Sequence, residues 1–142
     1  MDIPKNIAEI KQSLPEGVKL VAVSKKKSPE IIMQAYHAGH KVFGENKTQE
    51  LIQKQEELPK DIEWHFIGHL QTNKAKYVAR FATEFQALDS LKIAHELDKR
   101  LQKEGRQLRV LVQVNSSAEP QKSGIAPEEA VDFAREIGRA HV

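Results

Sequence analysis

The sequence predicts an α/β protein in which a parallel sheet is built from successive strand–helix units. Strand-like and helix-like segments alternate from about residue 19 to the end of the chain, five times in series. β-Branched and aromatic runs mark the strands, and apolar residues at helical spacing mark the helices between them. Such alternation is typical of a doubly wound sheet or of part of a (β/α)₈ barrel. Periodicity alone leaves both architectures open.

Local sequence patterns indicate where each strand and each helix lies along the chain. The five predicted strands, all short apolar runs, are 20–24, 41–43, 62–67, 84–88 and 108–114. The predicted helices lie over 7–14, after 28, after 46, over 71–80, from 89 to 105 and from 127 onward. Ser28 with Pro29 opens the first crossover helix, and Asp89 opens the fourth, which ends at Gly105. Pro127 opens the last helix at a position where its missing N–H costs nothing.

Length and composition narrow the class of protein. The 142 residues suffice for one ordinary domain, and 39% hydrophobic with 30% charged residues is typical of a globular chain. A formal net charge of +2 lacks the basic excess of nucleic-acid modules, so we expect no nucleic-acid partner. The absence of cysteine excludes disulfides, thiolate metal sites and a cysteine nucleophile. With no secretory signal and no apolar run near the ~20 residues that span a bilayer, we expect a soluble cytoplasmic protein without a membrane partner.

Lys25 is the first candidate for chemistry because it ends the first predicted strand, at the carboxyl edge of the sheet. Strand alternation puts Val21, Val23 and Lys25 on one face, so we expect Lys25 to project over the top of the core. Partial burial and the charges of Lys26 and Lys27 would favour the neutral amine that Schiff-base chemistry with an aldehyde requires. The triplet taken alone is more often a solvated turn.

Three other polar residues follow or belong to strands that end at this edge. Asn46 closes the second strand, where it can bind a ligand, cap the next helix, or do both. His65 shares a strand face with Ile67 and can point into the barrel, although a structural role is commoner for a lone strand histidine. Lys122 lies in a glycine-containing loop after the fifth strand. His65 and His69 lack the helical spacing of a zinc protease, so no metal site is expected.

Five short motifs occur in order along the chain. They are Val21-Ala22-Val23-Ser24-Lys25, Phe43-Gly44-Glu45-Asn46, Trp64-His65-Phe66-Ile67-Gly68, Leu70-Gln71-Thr72-Asn73-Lys74 and Lys122-Ser123-Gly124. Together they resemble the pyridoxal phosphate homeostasis protein family, and the resemblance runs from about residue 5 to 136. It implies a (β/α)₈ TIM-type barrel of the alanine racemase N-terminal type, of which this chain holds roughly the first five βα units.

The resemblance also implies a ligand and a set of binding residues. It implies that the chain binds pyridoxal 5'-phosphate (PLP), with Lys25 as the lysine of the internal aldimine. Asn46 and His65 match positions at the edge of the family's pocket, and Lys27 and Lys122 match lysines near the cofactor or its exchange path. Members of the family resemble PLP carriers or buffers without an established reaction, and we expect a monomer at full length.

The sequence departs from the family's pattern at two places. Lys47-Thr48 stands where the family usually has a tyrosine and a small or apolar residue. The family continues with three more βα units whose late loops hold the PLP phosphate, and complete barrels take about 250 residues. The last six residues, 137–142, are also what a common sequencing-library adapter encodes when translated, so we expect the native sequence to diverge near Glu136 or Ile137.

Two other functions stay open on the sequence. A PLP-dependent amino-acid racemase needs a second acid–base group opposite the lysine, supplied with the help of an added β-domain and a partner subunit. This sequence shows no β-domain, and its two tyrosines, Tyr36 and Tyr77, fall within predicted helices. A nucleic-acid module using Lys74, Lys76, Arg80 and the cluster 25–27 is disfavoured by the near-zero net charge and the lack of interleaved aromatic residues.

Overall fold

A computed structural model of the protein describes residues 2–117, 119–120 and 122–139. Five parallel strands form one sheet: β1 (Ala22–Val23), β2 (Val42–Glu45), β3 (Glu63–Phe66), β4 (Glu84–Leu88) and β5 (Arg109–Val112). The helices are α1 (Ile3–Ser13), α2 (Pro29–His37), α3 (Thr48–Glu57), α4 (Ala75–Phe81), α5 (Leu91–Glu104) and α6 (Ala130–Arg139). Single 3₁₀ turns, Thr72–Lys74 and Pro127–Glu129, precede α4 and α6. None of the described helices is both long and apolar enough to cross a membrane.

The strand order decides between the two predicted architectures. The strands are adjacent in chain order, β1-β2-β3-β4-β5, and every neighbouring pair is parallel. A doubly wound sheet reverses its order at a switch point, whereas a barrel adds each strand on the same side of the last one. The sequential order confirms the prediction of a partial (β/α)₈ barrel.

The outer face of the sheet, which packs against the helices, contains the hydrophobic core. Phe43, Trp64, Phe66 and Phe85 alternate with inward-facing residues on β2, β3 and β4, and all four are buried. Their rings are in contact across neighbouring strands, with centroids 5.9 Å apart for Phe43 and Trp64 and 6.1 Å apart for Phe66 and Phe85. Aromatic pairs at such distances add to the stabilisation from burial.

The inner face, which would line the interior of a closed barrel, is open to solvent at its two edge strands. Val23 on β1 is 51% exposed and Leu111 on β5 is 48% exposed. Both residues alternate with outward-facing neighbours, and none of the described helices covers this side of the sheet. The inner face of the described sheet is therefore accessible at its two edge strands.

Helix caps follow the sequence prediction in part. The Ser28 hydroxyl accepts a hydrogen bond from the Ile31 amide at 3.3 Å, as predicted. Asp89 does not cap α5, because the extended residue before the helix is Ser90, whose hydroxyl accepts from the Ile93 amide. The prediction that Asn46 caps α3 is also wrong, since α3 begins at Thr48, one residue later than that cap requires.

Parts of two predicted segments fall outside the residues that the structure describes. Gln121 of the loop after β5 is one of them, and 140–142 of the suspected foreign tail are the others. Residues 137–139 of that tail continue α6, and Ile137 packs against the core.

Candidate functional site

Lys25 lies two residues beyond β1, at the carboxyl edge of the sheet, as predicted. Its side chain is exposed, and among residues 2–117, 119–120 and 122–139 it has no hydrogen bond or ion pair. The expectation of partial burial is therefore wrong for this chain. The reason is the open inner face, which leaves Val23 below it half exposed as well.

A tight turn carries the three consecutive lysines away from β1. The Ser24 amide donates to the carbonyl of Gly44 on β2 at 2.9 Å, and the Lys27 amide donates back to the Ser24 carbonyl at 3.0 Å. Lys26 has a φ of 62°, in the left-handed region that side chains other than glycine disfavour. Lys27 faces α3, where it lines a cavity of about 300 Å³. Lys26 lines the same cavity, whereas Lys25 does not, so Lys25 is separated from the two lysines that follow it.

Behind this turn lies a buried ionic cluster that the sequence did not reveal. Lys54 on α3 donates to the Ser24 carbonyl at 2.7 Å, to Glu45 at 2.8 Å and to Glu50 at 2.9 Å. The Ser24 hydroxyl donates to Glu45, and the Lys26 amide donates to Glu50 at 2.8 Å. We refer to Ser24, Glu45, Glu50 and Lys54 as the clamp cluster. Only its Glu50–Lys54 pair, four residues apart, was visible as sequence spacing.

The two carboxylates of the clamp cluster sit in different environments. Glu45 is fully buried, and its Oε1 has no hydrogen-bond partner among the described residues. Burial raises the pKa of Glu45, although the hydrogen bonds from Lys54 and Ser24 oppose that shift. For Glu50, partial burial is outweighed by the hydrogen bonds from Lys54 and the Lys26 amide, so its pKa is lowered.

Asn46 follows β2 and is held against the next strand end by a close backbone contact. A Cβ placed on Gly68 would lie 2.6 Å from the Asn46 carbonyl oxygen and 2.8 Å from its Cβ, so only glycine fits there. Asn46 also lines a cavity of about 320 Å³ with Phe66, His69 and Lys74. The structure thus keeps Asn46 at the carboxyl edge, on the strand next to the one that leads to Lys25.

His65 lies deeper in the inner face than the other predicted residues. Its register partner is Gly44, two residues before Asn46, and its side chain is 2% exposed. Its Nδ1 lies 3.1 Å from Glu84 Oε2 and 3.2 Å from Gln86 Nε2, and Gln86 also donates to Glu84 at 2.8 Å. Burial lowers the pKa of His65, although the charge of Glu84 opposes that shift.

Lys122 is at the carboxyl edge but far from Lys25 along the sheet. It is exposed in the loop after β5 and forms an ion pair with Glu119 at 3.3 Å. β1 and β5 are the two edges of the sheet, separated by four strand spacings of about 4.8 Å each. The structure therefore places Lys25 and Asn46 after neighbouring strands, places His65 within the next strand, keeps Lys27 on the turn that holds Lys25, and leaves Lys122 beyond the opposite edge strand.

Acid conditions are expected to weaken folding through two buried histidines. Burial lowers the pKa of His65 and of His40, so the unfolded chain binds their protons at higher pH than the folded chain. Their contribution to stability is complete above the unfolded value of about 6.5 and is lost as the pH falls through the folded pKa. Each contributes a slope of up to about 1.4 kcal/mol per pH unit. Urea unfolding measured between about pH 5 and 7 reports this slope.

Variants of one buried and one exposed histidine test whether the buried histidines cause this dependence of stability on pH. His65→Gln is expected to have a shallower slope than the wild type, and His69→Gln, at an exposed position, is expected to keep the wild-type slope. Glu45 contributes with the opposite sign, because its pKa is raised, but this contribution is common to all variants. An unchanged slope in His65→Gln would contradict the assignment.

Comparisons with known proteins agree with the architecture. The sequence profile described as "Alanine racemase, N-terminal domain" matches residues 2–142. The pyridoxal phosphate homeostasis protein of Pasteurella multocida is 45% identical over 152 residues, which cover 96% of this chain and 64% of the relative. The structure of PipY from Synechococcus elongatus PCC7942 with PLP bound matches with a TM-score of 0.88 at 34% identity, covering 97% of this chain and 65% of that one.

More distant structures share the fold alone. The alanine racemase of Clostridium difficile matches with a TM-score of 0.81 at 18% identity, covering 98% of this chain and 37% of the racemase. The chain spans less than two thirds of the length of the Pasteurella and Synechococcus relatives. The resemblance to pyridoxal phosphate homeostasis proteins stated from the motifs is confirmed. The chain belongs to the alanine racemase N-terminal domain family.

Proposed function

We propose that this chain binds PLP through Lys25 and belongs to a protein of PLP homeostasis that is not an enzyme. The observation that carries the proposal is the Lys25 amine, which is exposed and has no partner among the described residues at the carboxyl edge of the sheet. Functional groups of such barrels concentrate at this edge. The name of the Pasteurella relative and the PLP bound to PipY support PLP as the ligand.

The residues at this edge fit the aldehyde end of PLP. PLP supplies an aldehyde that condenses with a primary amine and a pyridine ring that withdraws electrons. An amine that is exposed and not engaged in a hydrogen bond or ion pair is accessible to the aldehyde carbon, and Lys25 meets this condition within the described chain. A Cβ placed on Gly44 would lie 3.2 Å from the side chain of Val21 and 3.2 Å from that of Ile67, so the inner face is apolar at this position.

The other predicted residues have proposed roles that follow from their positions. The Asn46 amide group is available to hydrogen-bond the ligand at the mouth of the inner face, and His65 lies below it as a buried polar group. Lys27 and Lys122 are exposed cations at the carboxyl edge, suited to attract the phosphate dianion as it approaches.

The two tyrosines, which are candidates for the second acid–base group of a racemase, do not lie on the inner face of the described chain. Tyr36 lies on α2, and its hydroxyl donates to Asp61 at 2.7 Å, while Tyr77 lies on α4. Both helices belong to the outer layer, on the opposite side of the sheet from the inner face. This placement supports a carrier of PLP over an amino-acid racemase.

Reductive trapping tests the proposal. The folded chain is mixed with PLP, the C=N bond is reduced with borohydride, and the modified residue is located by mass spectrometry. We expect Lys25 to carry the adduct and Lys25→Ala to lose at least about 90% of it, a tenfold effect or about 1.4 kcal/mol. Lys99→Ala, at an exposed position on α5, serves as the control and is expected to trap PLP like the wild type. An unmodified Lys25 in a folded sample would refute the proposal.

A second measurement separates a carrier from an enzyme. Racemisation of alanine by the chain with PLP is expected not to exceed the rate with free PLP. Racemisation well above that rate, and lost in Lys25→Ala, would instead support a racemase.

A further inference from the structure

The main chain on both sides of Lys25 is held by the clamp cluster. On the preceding side, the Ser24 carbonyl accepts from the ammonium of Lys54 at 2.7 Å. On the following side, the Lys26 amide donates to the carboxylate of Glu50 at 2.8 Å. Lys54 and Glu50 are themselves paired at 2.9 Å on adjacent turns of α3. One helix thus fixes both peptide groups that flank Lys25, without any contact to its amine among the described residues.

The backbone held in this way includes a conformation that is unfavourable for a residue other than glycine. Lys26 has a φ of 62°, a conformation that a residue other than glycine adopts at a cost. The charge-assisted bond from its amide to Glu50 is of the stronger kind, and it acts at the residue where the conformation is unfavourable. The strained turn directs Lys26 and Lys27 away from the strand, so that only Lys25 continues the alternation of the inner face.

The clamp cluster differs from a surface ion pair because two of its charged residues are buried. Lys54 and Glu45 are both buried, and their contact is 2.8 Å. Taking two charges out of water is costly, and such a pair is retained where it fixes a conformation, as polar groups in coiled coils do. Here the pair also orients Ser24, whose hydroxyl donates to Glu45 and to the carbonyl of Gly44.

We propose that Lys54, Glu45 and Glu50 are positioning residues that select Lys25, out of three consecutive lysines, as the one that reacts with PLP. The inference rests on the proposed function, since it presupposes that Lys25 is the PLP lysine. The reacting amine adds to the aldehyde carbon of PLP, a C=N bond forms and water leaves. The intrinsic chemistry of the three lysines is the same, so the clamp cluster determines which of them presents its amine at the inner face.

Site-resolved trapping tests the selection directly. The chain is first allowed to react with PLP and is then reduced with borohydride, which adds hydride to carbon and leaves a stable secondary amine. Cleavage after glutamate yields the peptide 17–30, which contains the three consecutive lysines and also Lys19. Fragmentation of this peptide gives the share of label on Lys25, Lys26 and Lys27. Because an unfolded chain would also label the three lysines alike, the distribution is compared only among variants whose circular dichroism shows that they are folded.

Glu50→Ala removes the acceptor of the Lys26 amide. The measured quantity is the label on Lys25 divided by the summed label on Lys26 and Lys27. We expect this ratio to fall about tenfold, because a charged hydrogen bond is lost. Glu50→Gln keeps an acceptor oxygen and is expected to fall between Glu50→Ala and the wild type. If Glu50→Ala does not fold, as judged by circular dichroism, Glu50→Gln supplies the comparison. Glu57→Ala removes an exposed carboxylate from the same helix and the same cavity and is the matched control, with wild-type selectivity expected.

The outcomes separate the two proposals. Selective labelling of Lys25 in the wild type with unchanged selectivity in both Glu50 variants would overturn the positioning role and leave the proposed function intact. Labelling of the wild type that does not favour Lys25 would overturn both. A lowered ratio in the Glu50 variants, with Glu57→Ala like the wild type, supports the positioning role.

Discussion

Replacing Lys54 with methionine is expected to lower the free energy of unfolding by about 3–5 kcal/mol, because it leaves a buried carboxylate without its cation. The Lys54 side chain is buried, and Glu45 beneath it is fully buried, so water does not replace the lost partner. Methionine has nearly the same length and keeps the packing of the aliphatic stem, so the loss measures the charge. Urea unfolding at neutral pH gives the quantity directly.

Two further measurements identify Glu45 as the origin of the loss. Burial already raises the pKa of Glu45, and removal of Lys54 favours its neutral form further, so the penalty is expected to shrink as the pH is lowered. The double variant Lys54→Met with Glu45→Gln is expected to recover part of the stability, since it has no buried charge. Lys99→Met, at an exposed position, is expected to change stability by no more than about 0.5 kcal/mol. A Lys54→Met chain as stable as this control would contradict the assignment.

The order of strands and helices could be predicted because the signals for it are local. Strand β4 was predicted with its observed bounds, and Ser28 and Gly105 mark helix ends where the structure has them. Asp89 and Asn46 were wrong as caps because the first helical residue is set by backbone angles, and residue type fixes these only to within one or two positions.

The candidate site was predictable in position but not in environment. Lys25 and Asn46 lie at the carboxyl edge because parallel strands end there together, which follows from the strand order alone. The exposure of Lys25 depends on whether the inner face is covered, and that is a property of the whole sheet. The clamp cluster could not be predicted, because the contact between Glu45 on β2 and Lys54 on α3 is a tertiary contact that no sequence spacing encodes.

The two faces of the sheet are expected to contribute unequally to stability, and truncations on each face test this expectation. Phe66 on the outer face is 1% exposed and contacts Phe85, so Phe66→Ala is expected to cost about 3–5 kcal/mol through lost burial and the cavity left behind. Leu111 on the inner face is 48% exposed, so Leu111→Ala is expected to cost about 1 kcal/mol or less. Unfolding in urea compares the two variants under the same conditions.

A large cost for Leu111→Ala in this chain would mean that the inner face is covered in solution, and it would contradict the open surface that the structure shows. A small cost has a consequence for the site. Exposed residues at the edges of the inner face then contribute little to folding and leave the surface beside Lys25 accessible, whereas His65 in the middle of that face is buried and does contribute. The buried charges of the clamp cluster lie on the outer side, where the helices exclude water. The amine that is proposed to react thus stands on the open side, while the residues proposed to position it lie on the packed side.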